Sequence, residues 1–236
     1  MSLIAVITLC NQTALLYNQL SAMERHFQSG QQKNIFPLAL VDMITEVAIQ
    51  RHIANRLLCK CTNSSYSMTR IGLLSDTHGY LDPAVFEYLK NCDEIWHGGD
   101  WGNAALAEAL FAGTHVPVKG VYGNIDGQDI RSSFPEQLVF VCEEVKVMIR
   151  HIGGYPPRYN PETKKQLLLH QPKLFIAGHS HILKVMYDEQ LQCLHMNPGA
   201  AGKQGWHKMR TLLRFVIDGA DIKDCEVVEL GLRSSE

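Results

Sequence analysis

The chain has 236 residues, 46% of them apolar and 19% charged, with a formal net charge of -2. That length suits one large domain, or one domain with an appendage, and the apolar share can fill a sizeable core. So even a charge balance gives no global attraction to long nucleic acid or to an anionic membrane surface.

Read in chain order, Met1 to Cys10 is an apolar run with no basic lead-in. Asn11, Gln12 and Thr13 break it before it reaches membrane-spanning length, and no clear small-residue cleavage site follows. A signal peptide is therefore not read there, and the expected location is the cytoplasm. Residues 1–67 are an irregular mixture with many Gln and Asn; only Leu40, Ile44, Val47, Ala48 and Leu57/Leu58 recur at roughly helical spacing. The character changes at Ser64–Ser67, after which Met68-Thr-Arg-Ile-Gly-Leu-Leu-Ser-Asp reads as the first strand of a domain. We expect an N-terminal extension over 1–67, either dispensable or an over-extended reading of the start, and the main domain over 68–236.

From Met68 the pattern alternates. A strand at Ile71–Leu74 runs into the turn Ser75-Asp76-Thr77-His78-Gly79. Asp82-Pro83 supplies an N-cap and a first-turn proline for a helix to about Asn91. A strand at Glu94–His97 meets Gly98-Gly99-Asp100, Asn103 caps an Ala/Leu-rich helix to about Ala112, and a strand at Val116–Val121 enters Gly123-Asn124-Ile125-Asp126. Strand, helix, strand, helix, strand predicts parallel strands with helical crossovers. The back half reads as short strands at Gln137–Cys142, Val145–Arg150, Leu174–Ala177, Leu183–Tyr187, Gln190–His195, Arg210–Ile217 and Asp224–Leu230. One helix, at Pro161–His170, interrupts them. Two packed sheets with helices outside would accommodate both halves.

The cysteines number seven. They are scattered, and several lie in apolar runs, where free Cys behaves as a small hydrophobe. Cys59-Lys-Cys61 lacks the spacer of a zinc knuckle or redox pair. The expectation is a reducing compartment and no disulfides.

The informative pattern is where the metal-capable side chains fall. Asp76 and His78 follow the first strand, Asp100 the second and Asn124 the third; His151 ends a later strand, and His179 and His181 follow another. In open α/β sheets, ligands gather outside the carboxyl ends of strands, so these turns should converge. Each turn alone is weak: Asp-x-His is usually an N-cap beside a surface His, and Gly-Gly-Asp is usually just a turn. Gly178-His-Ser-His181 is stronger, because its spacing puts two imidazoles on one side of an extended loop.

In order, Asp-x-His, Gly-Asp, Gly-Asn-x-Asp, His and Gly-His-x-His resemble the motifs of the calcineurin-like metallophosphoesterase superfamily. The spacings look most like its small bacterial and archaeal phosphodiesterase branch, which includes the metallophosphoesterase-like subunit of retromer. The resemblance covers about Met68 to Leu230 and implies a four-layer α/β/β/α sandwich with two mixed β-sheets. Carried over by position, it gives one divalent metal to Asp76, His78 and His181 and a second to Asn124, His151 and His179, with Asp100 bridging. It implies hydrolysis of a small phosphate ester by metal-bound hydroxide. Mixed imidazole, carboxylate and amide donors suit Mn first, with Fe, Ni, Co or Zn able to serve.

The chain departs from the pattern where many members carry His after the Gly-Asn motif. Ile125 stands there, which removes a general acid and favours a diester over a monoester. His151 is followed by Ile152 before Gly153-Gly154, where Gly is usual. The runner-up function is a retromer-subunit-like interaction scaffold with a vestigial site, and a nuclease is disfavoured by the missing basic bias.

The remaining candidates have plainer readings. His97 and Asp126 are expected to be structural. Gly153 to Tyr159 reads as a loop, with Arg158 a candidate for phosphate. Relatives share the turn Asn197-Pro-Gly, packed under the metal site, and Lys203 and His207 are weak candidates for substrate contact. His26, His52, His115, His170 and His195 carry no functional expectation. Apolar faces among the late strands would serve a homodimer.

Overall fold

The computed structural model describes residues 68–234. The apolar start, Cys10, Cys59, Cys61 and the helical pattern from Leu40 to Leu58 lie outside the described residues, as does the extension over 1–67 as a whole.

One sheet has the order β12-β11-β1-β2-β3, with β1 at Met68–Leu74, β2 at Glu94–His97, β3 at Val118–Gly120, β11 at Met209–Asp218 and β12 at Asp221–Leu232. β1, β2 and β3 run parallel, and β11 and β12 extend the sheet antiparallel. The second sheet has the order β4-β5-β8-β10-β9: β4 Gln137–Cys142, β5 Val145–Arg150, β8 Leu174–Ile176, β9 Leu183–Asp188 and β10 Cys193–Pro198. There β5, β8 and β10 are parallel and both edges antiparallel.

Alternation along the strands builds the layers. Ile71 and Leu73 of β1 join Trp96, Leu213 and Phe215 and meet Val145, Val147, Ile149, Leu174, Ile176 and Met196 of the second sheet. Leu74 and Ile95 point the other way, against Val85 and Leu89 of α1 (Ala84–Leu89) and Leu106 and Leu110 of α2 (Ala104–Thr114). On the far face of the second sheet, Met148 and Phe175 pack on Leu167 of α4 (Pro161–His170). The result is the four-layer α/β/β/α sandwich that the motif order implied. Gly72 allows the close approach of α1: a Cβ there would lie 2.3 Å from Leu89 Cδ2.

Local chemistry fixes the helix ends. Asn103 Oδ1 accepts from Leu106 N at 2.9 Å, and Asn160 accepts from Glu162 N and Thr163 N ahead of Pro161. Several features differ from the sequence reading. The first helix, expected from an Asp82 cap to about Asn91, is Ala84–Leu89 with Pro83 at its N-cap, and the third strand is shorter than Val116–Val121. A six-residue helix α3 (Gln128–Ser133) follows the Asn124 turn. The Gly153–Tyr159 segment holds a hairpin, β6 (Gly154–Tyr155) with β7 (Arg158–Tyr159). The tenth strand, expected at Gln190–His195, is instead Cys193–Pro198. α3 buries only Ile130, and a two-residue strand has no period to read.

Among the described residues, Cys92, Cys142, Cys193 and Cys225 are free, and no helix is long and apolar enough to cross a membrane.

Candidate metal centre

Because β1, β2 and β3 are parallel, their carboxyl ends share one edge, and the ends of β5 and β8 lie together on the second sheet. Hydrogen bonds tie the turns to each other. Asp76 N donates to Gly99 O (2.9 Å), His78 N to Asp100 O (3.0 Å), Gly178 N to His151 O (3.0 Å), and Ala201 N to Ser75 O (2.9 Å).

The backbone at this edge is held in an unfavourable conformation. Asp76, His78, Asp100, His179 and His181 all have positive φ, between 50° and 66°. Each costs a non-glycine residue about 1–2 kcal/mol. Such clustering marks a functional site, because only tertiary contacts hold it in place. Gly123 makes room for a carboxylate: a Cβ there would fall 1.9 Å from Asp100 Oδ1.

Two groups of donors result. Asp76, His78 and His181 form one, and Asp100, His151 and His179 the other, with the ligand atoms of each group within 4.8 Å of one another. In the first, His181 Nε2 lies 3.2 Å from Asp76 Oδ1 and 3.2 Å from His78 Nε2. His78 Nδ1 is buried with no partner. In the second, His151 Nε2 lies 3.3 Å from Asp100 Oδ1 and 3.1 Å from Asn124 Oδ1. Asp100 faces both groups, because its Oδ2 is 3.8 Å from His78 Nε2. Ile125 N also donates to Asp100 Oδ1 at 3.1 Å, and the Ile125 side chain is exposed.

The donor set fits cations. His151 Nδ1 lies 2.8 Å from Gly98 O, so Nδ1 carries the proton and donates. In the neutral ring Nε2 is then a bare lone pair, facing two oxygens that are also acceptors. Converging acceptors need either a proton or a metal ion. The titration behaviour agrees. On His151, burial works against charge, but the hydrogen bond and charge of Asp100 outweigh it and raise the pKa. His181 is raised by its hydrogen bond to Asp76, against burial. Burial also opposes charge on Asp100, yet His151 holds that carboxyl below its ordinary range. His78 goes the other way, lowered by burial despite Asp100 and Asp76.

Supporting residues orient these donors. Ser75, fully buried, donates its hydroxyl to Asp76 Oδ2 at 2.6 Å, and His179 N lies 3.2 Å from both oxygens of Asp76. Asp126 accepts from Gly102 N (2.9 Å) and Gly123 N (2.7 Å), joining two of the turns. His97 is fully buried and stacked on Trp101, ring centroids 3.6 Å apart. Its Nδ1 accepts from Gly99 N (3.1 Å), so Nε2 carries the hydrogen and donates to Thr77 Oγ1 (3.0 Å). Burial pushes its pKa well down, so it serves as a neutral strut between the first two of these turns. Asn197 Nδ2 donates to Gly178 O at 2.8 Å and steadies the His179–His181 loop. His207 packs beside His181, centroids 5.3 Å apart, and its Nε2 lies 3.1 Å from Gly202 O.

Two clefts flank the centre. One of about 360 Å³ includes Asn124 and His151 and is walled by Tyr122, Arg131, Arg150 and Asn160. The other, of about 140 Å³, includes His179 and is walled by Tyr155, Lys184 and His195. Arg158 is exposed on β7 and lines neither cleft. Sequence reasoning gave no role to Ser75, Thr77, Arg131, Lys184 or His195. Only for Ser75 and Thr77 was there a signal, their places beside Asp76 in the first turn.

Comparison with known proteins decides the family. The sequence model of the calcineurin-like phosphoesterase superfamily domain matches residues 69–220. The chain belongs to the calcineurin-like phosphoesterase superfamily. It is 32% identical over 142 residues to a protein of Mycoplasma pneumoniae named "Probable metallophosphoesterase", covering 56% of this chain and 79% of that one. Among solved structures, a predicted phosphoesterase of Streptococcus pneumoniae shares the fold at 20% identity and TM-score 0.52, over 69% of this chain and 90% of that one. Vps29 of Entamoeba histolytica, solved with Zn²⁺, does so at 14% identity and TM-score 0.52, over 68% and 99%. The fold is thus that of the superfamily's small branch. As a superfamily member, this chain carries donor groups suited to divalent metals at the carboxyl ends of its strands.

Proposed function

We propose that the chain is a phosphodiesterase with a two-metal centre, acting on a small phosphate ester. Asp76, His78 and His181 hold one ion, Asn124, His151 and His179 the other, and Asp100 bridges them. The observation that carries this reading is Asp100, whose two oxygens face the two donor groups at 3.8 and 3.3 Å. Bound divalent ions at such a site neutralise phosphoryl charge and acidify a water so that it can attack near neutral pH. Manganese is the first expectation, and Fe, Ni, Co or Zn fit the same donors.

The chain's own groups set the rest of the chemistry. His151 is fixed as an Nε2 donor by Gly98, and Ser75, holding Asp76 Oδ2, leaves Oδ1 as the oxygen that faces His181. Arg131, whose side chain donates only to backbone carbonyls, puts positive charge in the cleft beside Asn124 and His151, where an anionic ester is drawn in, while Arg150 there is paired with Glu136 at 2.6 Å. Ile125 offers its apolar side chain where a leaving group would need a proton. Substrates with good leaving groups suffer least from that, which supports diesters over monoesters. The working unit is residues 68–236 with 1–67 dispensable, and the location is the cytoplasm. The exposed apolar side chains Val185 and Tyr187 on edge strand β9 would suit a homodimer.

A second reading, a protein-interaction scaffold, draws support from the Vps29 fold likeness. The two full donor groups favour the enzyme. The test is hydrolysis of bis-p-nitrophenyl phosphate against p-nitrophenyl phosphate by chelator-stripped protein titrated with Mn, Ni, Co, Zn and Mg. Metal-restored turnover favouring the diester is expected. Folded protein that binds two ions and turns over neither ester would replace the enzyme reading with the scaffold.

A further inference from the structure

The smaller cleft holds two groups that the metal centre does not use. The first is His195 on β10, only 1% exposed, with its Nδ1 buried and without any hydrogen-bond partner. Leaving such a buried nitrogen unpaired is costly, so it calls for an explanation. Neighbours cannot supply a bond. Phe175 and Tyr159 pack around the ring, at centroid distances of 5.5 and 6.4 Å. The Tyr159 hydroxyl is taken by Asp188 Oδ2 at 2.9 Å, and Asp188 Oδ1 accepts from Gln190 N and Leu191 N. Burial, helped by the nearby charge of Lys184, pushes the pKa of His195 down to about 4, so the ring is neutral near pH 7. It keeps one N–H donor and one lone pair.

The second group is Lys184 on β9. Its ammonium lies 3.5 Å from the centroid of the Tyr155 ring and makes no ion pair with a described residue. Contact with an aromatic face positions a cation without neutralising it. A lysine on an edge strand would by itself be ordinary. Here its charge lines the same cavity as the unpaired imidazole, and that cavity is continuous with His179 of the proposed metal centre. At about 140 Å³ it is smaller than the roughly 300–1,000 Å³ of pockets that enclose drug-sized ligands, so it takes a short arm and not a nucleoside.

We propose that this cavity is the subsite for a short, anion-terminated substituent of the phosphodiester, with Lys184 binding a terminal carboxylate or phosphate and His195 hydrogen-bonding the arm. The assignment rests on the metal-centre reading: the ester phosphate sits at the metals, and one substituent extends past His179.

The test is calorimetric binding to the manganese-loaded full chain, which needs no turnover. The probes are alkylphosphonates with two to four carbons and their counterparts ending in a carboxylate or a second phosphonate. At one chain length, the probe with a second anionic end should bind about tenfold more tightly than its methyl-ended counterpart, equivalent to about 1.4 kcal/mol. Lys184→Met should bring that ratio to about one, and Lys184→Arg should keep most of it. Equal affinities at every chain length, or a gain that survives Lys184→Met, would overturn the subsite while leaving the metal centre standing. If the methyl-ended alkylphosphonates themselves fail to bind, the metal-centre reading falls and the subsite with it.

Discussion

Replacing Ser75 with alanine removes from the centre one hydroxyl whose contact beyond Asp76, to Gly99 O at 3.4 Å, is long. Ser75 and Asp76 are both fully buried, and the hydroxyl donates to Asp76 Oδ2 at 2.6 Å. The pocket around it is close: a Cβ on Gly178 would lie 2.3 Å from Ser75 Oγ, and one on Gly98 would lie 2.7 Å away. Alanine therefore removes one oxygen and leaves too little space for water to take its place. A hydrogen bond to an ionised group is worth about 1.5–3 kcal/mol. At 1.4 kcal/mol per factor of ten, that converts to a roughly ten- to hundredfold loss of metal affinity, the range usual for groups that orient metal ligands. The loss should fall chiefly on the ion held by Asp76, His78 and His181, since the Ser75 hydroxyl bonds to Asp76 and Gly99 and to none of Asn124, His151 or His179. Calorimetric titration of the stripped variant with manganese would show two binding events, one of them weakened more than the other. Circular dichroism would verify that the fold is retained. Wild-type affinity at both sites in folded Ser75→Ala protein would refute the role given to this hydroxyl.

Other outcomes follow from the same geometry. Asp100→Asn, by contrast, should weaken both binding events and abolish ester hydrolysis in a folded protein; near-normal turnover would break the bridging assignment. His195, with a pKa of about 4 in the folded chain, is neutral there while its unfolded form takes up a proton below about 6.5. Its effect is absent above that pH, and stability falls as pH drops from about 6.5 towards 4, by about 2 kcal/mol at pH 5. Urea unfolding at pH 7 and pH 5 should accordingly show a smaller acid loss in His195→Gln than in the parent, and equal losses would refute the assignment. A chain starting at Met68 should fold and keep the hydrolytic activity of the full chain; insoluble or inactive product would show that residues 1–67 are required.

The sequence by itself determined the chemistry available and its order along the chain. Asp76, His78, Asp100, Asn124, His151, His179 and His181 are legible because each sits in a turn after a strand, and turns carry local signals: glycine, Asx caps, a break in apolar alternation. Asn103 announced its helix for the same reason, as a cap acts within three residues. Short elements escaped. α3 buries one side chain and the β6–β7 strands have two residues each, too few to leave a period in the sequence.

Tertiary structure alone decided what those residues can do together. It set five donors at positive φ, a strain no local pattern announces, because bonds such as His78 N to Asp100 O close only when two parallel strands lie side by side. It fixed the proton of His151 through Gly98 O, 53 residues away in sequence, and so turned an ordinary histidine into a bare Nε2 donor. It brought Lys184 and His195 into one cavity beside His179, while Arg158, a plausible phosphate contact by sequence, stayed on an exposed hairpin. The physical reason is range. Caps and turns act within a few residues and can be read from the chain, whereas burial, tautomer and charge depend on which distant strands become neighbours.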